Sequence, residues 1–376
     1  MKMKTVFVAS LAAMALAACS KDADLGAPAP AAKTNFAVSL PGGLETYAVE
    51  KPQAAGQITP YYDNVTVYLV DAGNNAVGYA WTDAEIKARK KAFGQINEPA
   101  GVFVIVNAGN VTLPTGSVSF RAVEEAFAAV ALADQNQAAK TISAIDDKGN
   151  FPGTYNPVQQ VTLVGEQTVF TMDGVVNGYT QKTAAVELES LVARFELGTV
   201  KAGTGLDALT VEAVYLNNVL LDFLDGPGSV LQFVEGTWPA TFTPEWATDT
   251  YSAEVTSNAG TKVYAYQFFA GDGILPHVIY KVSGTVSAGY KLSDGTGDEN
   301  NPTPFTGRYI TVKGFRENGT WVNNFLPNKI YKMGLENGGI EITPDKITDK
   351  PEKNKVDLTV AITVADWTAG NVTPEI

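Results

Sequence analysis

Val356, Leu358, Val360, Ile362 and Val364 alternate with Asp357, Thr359, Ala361, Thr363 and Ala365. An apolar side chain at every second position suits a strand with one buried face, because successive side chains on a strand point to opposite sides. Shorter stretches of the same character recur. Phe36, Val38 and Leu40 share a face in 35–40, and 65–70 reads as a second strand. Residues 102–106 form a continuous apolar run, the mark of a central strand covered on both sides. Further strands are expected at 161–164, 168–172 and 185–197. In the second half they are expected at 209–216, 252–255, 261–269, 277–286, 309–314 and 329–335, separated by turn signals, which suggests an all-β sandwich.

Helices are few. Thr82-Asp83-Ala84-Glu85 has capping-box spacing and predicts a helix running to about Phe93. Val123, Phe127, Val130 and Ala131 recur at helical spacing between 121 and 139. Phe151-Pro152-Gly153-Thr154 predicts a turn. The Gly/Lys/Thr stretch 198–205 marks a domain boundary, with one domain over 34–202 and a second over 203–376. A length of 376 residues and an apolar content of 45% suffice for two packed cores.

The N-terminus has its own logic. Lys2 and Lys4 precede an apolar run, 6–18, that closes on Leu16-Ala17-Ala18-Cys19. This is the layout of a bacterial secretory signal ending in a lipobox. It predicts removal of residues 1–18 and a lipid on Cys19, followed by a small-residue, Pro-containing tether over 19–33. The run is too short for a stable membrane span.

Composition narrows the chemistry. Cys19 is the one cysteine, so no disulfide framework and no thiolate metal site are expected. His277 is the one histidine, read as a loop or strand-edge residue. A His-based zinc site needs several ligands and a Ser/His/Asp triad needs a positioned base, and with one histidine and no spare thiol most hydrolytic and metal chemistries lose their usual parts. No catalytic residue, metal ligand or cofactor is assigned, and the chain reads as a non-enzyme. The net charge of −13 would repel nucleic acid. The acidic stretch 293–304 lacks the ordered spacing and distal Glu of a calcium loop and reads as solvated. Trp81, Trp238, Trp246 and Trp321 are dispersed, and read as core or loop-packing residues rather than a sugar-binding platform.

These parts together resemble the Bacteroidetes fimbrillin family, the type V pilins, over essentially the whole chain. The resemblance is carried by the lipobox, the strand–loop–strand opening, Val102-Phe103-Val104-Ile105-Val106-Asn107, Leu191-Val192-Ala193-Arg194-Phe195-Glu196-Leu197, Asn328-Lys329-Ile330-Tyr331, and the closing segment from Leu358 to Trp367. It implies two transthyretin-like Greek-key β-sandwich domains in tandem and export as a palmitate-bearing lipoprotein of the outer membrane. It also implies loss of the lipidated N-terminus with the first strand (Phe36, Val38, Leu40). The vacated groove then receives the C-terminal strand, 356–376, of another subunit, with Val356, Leu358, Val360, Ile362, Val364 and Trp367 as donor residues. The implied partners are other fimbrial subunits in a homopolymer on the cell surface, and the implied role is adhesion to a host or bacterial receptor.

The physics suits such an exchange. A missing strand leaves unpaired backbone groups beside an apolar groove. Five large apolar side chains would each contribute roughly 1.5–3 kcal/mol on full burial, before ordering costs. A repeated head-to-tail contact builds a filament. Two other readings of the last strand and of the chain stay open: a closing strand of its own sandwich, and a surface glycan-binding lipoprotein.

One departure from the family pattern concerns processing. Family members commonly carry an arginine after the first strand, where a trypsin-like protease cuts. Here the first arginine is Arg89, and Thr46-Tyr47-Ala48 stands where the arginine is expected. Lys51, or a bond near Tyr47, is the processing candidate. A chain that is not cut there stays anchored through Cys19.

Overall fold

In a computed structural model the chain is described over residues 33–41, 60–198, 200–223, 230–231, 264–271, 273–334, 339–351 and 358–366. It is all-β with a few short helices. It divides into two compact units between Leu191 and Val192.

The strands of the first unit are β1 (Lys33–Ser39), β2 (Val65–Val70), β3 (Asn75–Ala80), β4 (Lys90–Asn97), β5 (Gly101–Val106), β6 (Gly116–Ser119), β7 (Lys140–Ile142), β8 (Gly153–Tyr155), β9 (Leu163–Gln167), β10 (Thr171–Val176), β11 (Tyr179–Ala185) and β12 (Glu189–Ser190). A six-stranded sheet has the order β12-β9-β5-β2-β3-β6, and a four-stranded sheet the order β10-β11-β1-β4.

Cross-strand partners lie on the same face of a sheet, so register assigns the two faces of the larger one. Val67 lies opposite Val104 and Tyr79, and Leu69 opposite Val102. Tyr79 meets Phe93 of β4 with ring centroids 4.9 Å apart, so this face looks onto the four-stranded sheet. On the other face Tyr68 lies opposite Phe103, and Phe103 packs edge-on to Phe120 and Phe127. Those two rings belong to the helix Phe120–Phe127, whose Ser119 N-cap accepts from the Ala122 amide. Helix, large sheet and small sheet thus form three layers. This is why β2 and β5 are buried at every position, as expected for the continuous apolar run 102–106.

Several expectations shift. The Thr82 capping box forms, but its helix is only Asp83–Ala88. Arg89 adopts the left-handed conformation (φ 51°) and its amide bonds back to the carbonyls of Glu85 and Ile86. That closes the helix, and the chain leaves as β4 rather than continuing to Phe93. The helical stretch expected over 121–139 is two pieces, Phe120–Phe127 and Leu132–Gln135. Gly153 opens a short strand rather than a turn.

The second unit holds β13 (Ala193–Leu197), β14 (Val200–Ala202), β15 (Leu206–Asn217), β16 (Val219–Leu220), β17 (Val230–Leu231), β18 (Tyr264–Phe268), β19 (His277–Val286), β20 (Thr303–Glu317), β21 (Thr320–Trp321), β22 (Lys329–Met333), β23 (Ile340–Ile342) and β24 (Leu358–Asp366). The main sheet runs β15-β19-β20-β24-β22-β13-β18, with β21 folded back on β20. Phe195 of β13 stacks on Phe315 of β20 at 5.5 Å although two strands lie between theirs in the sheet. The sheet therefore folds over on itself. Phe325 fills the fold, edge-on to Phe195, Phe268, Phe315 and Tyr331 at 4.6–5.3 Å. Arg194 is buried on β13. It donates to Gln267 and pairs with Glu196 at 3.2 Å, as a buried charge requires.

The stretch 191–205 takes its strand partners from the second unit. The segment 191–197 was expected to end the first half and 198–205 to hold the domain boundary. Instead β13 pairs with β18 and β22, and β14 pairs with β23, so both strands lie inside the second unit. Ser252–Val255 and Leu335 fall outside the described residues.

Glu85 anchors the first-unit helix twice, accepting from the Thr82 amide at 2.8 Å and from Lys91 at 2.7 Å. Burial pushes its carboxyl up, but these bonds outweigh that and hold it below its usual value. Its stabilising effect is complete above the ordinary carboxylate range and is lost as pH falls through the lowered pKa. Glu85→Gln should flatten the acid limb of the stability–pH curve below about pH 4.5. Thr82→Ala should cost about 1 kcal/mol at neutral pH in equilibrium unfolding.

Candidate assembly site: the first and last strands

β1 is an interior strand. It pairs in parallel with β11 over Thr34–Ser39 and antiparallel with β4 over Lys33–Ser39, with one irregularity between Thr34 and Phe36. Its burial alternates, with Thr34, Phe36 and Val38 turned inward and Leu40 continuing the series. Phe36 and Val38 are 2% and 0% exposed. Phe36 packs edge-on against Phe170 at 4.9 Å. All three residues expected on the first strand thus point into the core.

The end of β1 is pinned. The Leu40 amide donates to the Arg89 carbonyl at 2.9 Å, and the Val186 amide donates to the Ser39 carbonyl at 3.0 Å. Arg89 is itself buried, with its guanidinium 3.6 Å from the centroid of the Tyr62 ring and donating to the Ile86 carbonyl. Burial pulls its pKa down to about 10, against the opposing pull of Tyr62 and Asp146. Burial pushes the Tyr62 hydroxyl up to about 12, with Arg89 opposing. Asn150 brackets the same backbone, accepting from the Tyr62 amide at 3.0 Å and donating to its carbonyl at 2.9 Å.

The four-stranded sheet has a specific dependence on β1. In its order β10-β11-β1-β4, every ladder bond between the β10–β11 hairpin and β4 runs through β1. Among the described residues one ion pair spans the gap, Lys182 to Glu98 at 2.6 Å, with side chains 24% and 38% exposed.

β24 holds the equivalent place in the second unit, parallel to β20 and antiparallel to β22. Its pairing is divided. Leu358–Ile362 lies along β20 and Ile362–Asp366 along β22, so among the described residues only Ile362 has a ladder partner on both sides. β20 ends in the turn at Asn318 (φ 49°) and Gly319 (φ 82°), which limits its ladder to β24. β24 is therefore the corner strand of the folded sheet, passing from one layer to the other at Ile362, which is buried. The strand thus closes its own chain's sheet. Cys19, Tyr47, Lys51, Val356 and Trp367 lie outside the described residues.

The other singled-out residues do not join these strands. His277 opens β19 opposite Asn217. Asp298 accepts from the amides of Asn300 and Asn301, each at 2.8 Å, and Asp294 pairs with Arg308 of β20 at 3.1 Å, so the acidic loop is held by its own turn and by an ion pair to the sheet. Trp81 is buried, as read from the sequence. Trp321 is not: it is 49% exposed, with the Arg316 guanidinium 4.1 Å over its ring. Trp238 and Trp246 lie outside the described residues.

The partners of β1 were missed in the sequence. β11 follows Asn177-Gly178, whose φ values of 52° and 81° make a tight hairpin turn. Asn-Gly between Val175-Val176 and Tyr179-Thr180 is a recognised hairpin signal and would have located it.

No family model matches this sequence, and no curated protein matches it. The chain is similar in structure to a candidate cell adhesion protein from Bacteroides eggerthii, at 18% identity and a TM-score of 0.47, covering 91% of this chain and 98% of that one. It is similar to a fimbrilin from Porphyromonas gingivalis, at 12% identity and a TM-score of 0.44, covering 90% and 99%. It is also similar to the tip fimbrial protein Mfa3 of P. gingivalis, at 12% identity and a TM-score of 0.37, covering 89% and 100%. At these identities and TM-scores the likeness stands as a similarity alone.

Phe36→Ala should destabilise the first unit by about 3–5 kcal/mol in denaturant unfolding, since it empties a buried aromatic site. Lys182→Ala should cost less than about 1 kcal/mol, because its ion pair is part-exposed.

Proposed function

We propose that this chain is a structural stalk subunit of a type V fimbria, exported as a lipoprotein and polymerised by strand exchange at the cell surface, where it serves adhesion. The observation that carries the reading is β1, a buried interior strand that directly follows the lipobox and tether. Removal of the N-terminus through the 42–59 segment would take Cys19, the tether and β1 together. It would leave the edges of β11 and β4 without a partner, beside the space left by Phe36, Val38 and Leu40. Unpaired strand edges of this kind are templates for another chain.

The C-terminal segment supplies a strand of matching character. β24 already pairs in parallel with β20 along its first half and antiparallel with β22 along its second, the same two senses that the neighbours of β1 offer. To serve a second copy it must leave its own sheet. The stack of Phe195, Phe268, Phe315 and Phe325 supports this, since it joins the two layers without using β24. The lipid on Cys19 then acts as a tether at the outer membrane until the cut.

Two measurements test the reading. Deleting residues 356–376 should give an exported, folded chain that forms no fibres; fibres from the truncated chain would overturn strand donation. Mass spectrometry of the surface form should find an N-terminus near Pro52. A second reading, a lipid-retained anchor subunit, is favoured by the absence of any arginine before Arg89. A lipidated Cys19 on the assembled surface protein would establish it in place of the stalk role.

A further inference from the structure

The four-stranded sheet shows what would happen to the receiving surface once β1 has gone. β4 is an edge strand that pairs with β1, and β11 pairs with β1 and β10. Without β1 the sheet has no ladder between its halves. Each half is tied to the rest of the unit by different means. β4 has Phe93 buried against Tyr79 and the Lys91–Glu85 ion pair to the neighbouring helix. The β10–β11 hairpin is held at its base, where Gln167 donates to the Ala185 carbonyl at 3.1 Å and β12 pairs with β9. Towards its tip β10 is exposed and β11 is only half-buried. No residue of β10 is buried, and Ala184 is the one buried residue of β11. Met172, Val175 and Val176 are 54–61% exposed. Its remaining cross-tie is the part-exposed Lys182–Glu98 pair.

We propose that the β10–β11 hairpin is a hinged clamp. It opens about its base when β1 leaves, and it closes again on the strand of a second copy, re-forming the ladder along Thr180–Ala185. This rests on the strand-exchange reading for the identity of the incoming strand, though not for the opening itself. The receiving surface is then one fixed wall, β4, and one swinging wall, β11. A strand enters it from the side, and docking and ordering of the hairpin are a single event.

Hydrogen exchange followed by mass spectrometry tests the clamp. A specific protease site is inserted after Glu45, the purified chain is cut, and the first strand is stripped with mild denaturant. In the stripped chain the amides of Tyr179–Ala185 should exchange at least about 100-fold faster than in the intact chain, while those of Val65–Val70 and Gly101–Val106 keep their rates. A synthetic peptide of residues 356–376 should restore the protection. Hairpin amides that stay protected in the stripped chain would overturn the clamp, through either a rigid groove or direct closure of β11 onto β4. If the hairpin opens and is rescued by a peptide of residues 33–41 but not by 356–376, the clamp stands and strand donation by the C-terminus fails. Should the stripped chain unfold as a whole, exchange in the uncut chain under rising urea decides the matter. The β1 and β11 amides should then share one opening step below that of β2 and β5, and separate steps for β1 and β11 would overturn the clamp.

Discussion

The small sheet of the first unit depends on one strand. β1 supplies both flanking ladders, and among the described residues no other backbone ladder in that sheet joins β4 to the β10–β11 hairpin. Buried backbone groups require partners, so a strand in such a position is more than a contributor of apolar area. It determines whether its neighbours are sheet at all. The inward side chains Phe36 and Val38 fix the register through the core, and the Leu40–Arg89 bond fixes where the strand stops. The cation–aromatic packing of Arg89 on Tyr62 and the Asn150 bracket are the supports behind that stop.

β24 shows a related dependence with different mechanics. It links β15-β19-β20 to β22-β13-β18, but it does so in two halves that meet at Ile362. A corner strand of this type shares its hydrogen bonds between two layers instead of being clasped along its length. The layers have a second link in the Phe195–Phe315 stack, with Phe325 edge-on to both rings. The two terminal strands therefore differ in how much of their surroundings relies on them.

Much of this was legible in the sequence where one face of a strand meets the core. Val65–Val70 and His277–Val286 were located to the residue, and the alternation around Phe36 gave the inward face of β1. What stayed hidden has physical causes. β4 is an edge strand with a single buried residue, Phe93, so Lys90-Lys91-Ala92-Phe93-Gly94 carries no alternation to read. β11 is a run of polar, half-buried residues whose strand character comes from its neighbours. The parallel pairing of β1 with β11 leaves no mark in periodicity. Nor does the change of partner at Ile362, since the alternation of β24 continues unbroken across it. Gly198 and Gly203 carry the signal that reads as a domain boundary, and the strand between them, which pairs with β23, leaves no signal of its own.

One feature of the β1 position bears on directionality. Its two neighbours run antiparallel to each other, since β1 is parallel to one and antiparallel to the other. A strand laid there in the reverse sense would again have one parallel and one antiparallel neighbour. Backbone bonding alone is therefore almost indifferent to the sense of the occupant. The choice falls to side-chain shape: the pocket of Phe36, the narrower site of Val38, and the irregularity beside Thr34. Any polarity in an assembly built through this position would be written in a few apolar side chains, and substitutions among them could scramble the direction of growth while leaving the capacity to bind intact.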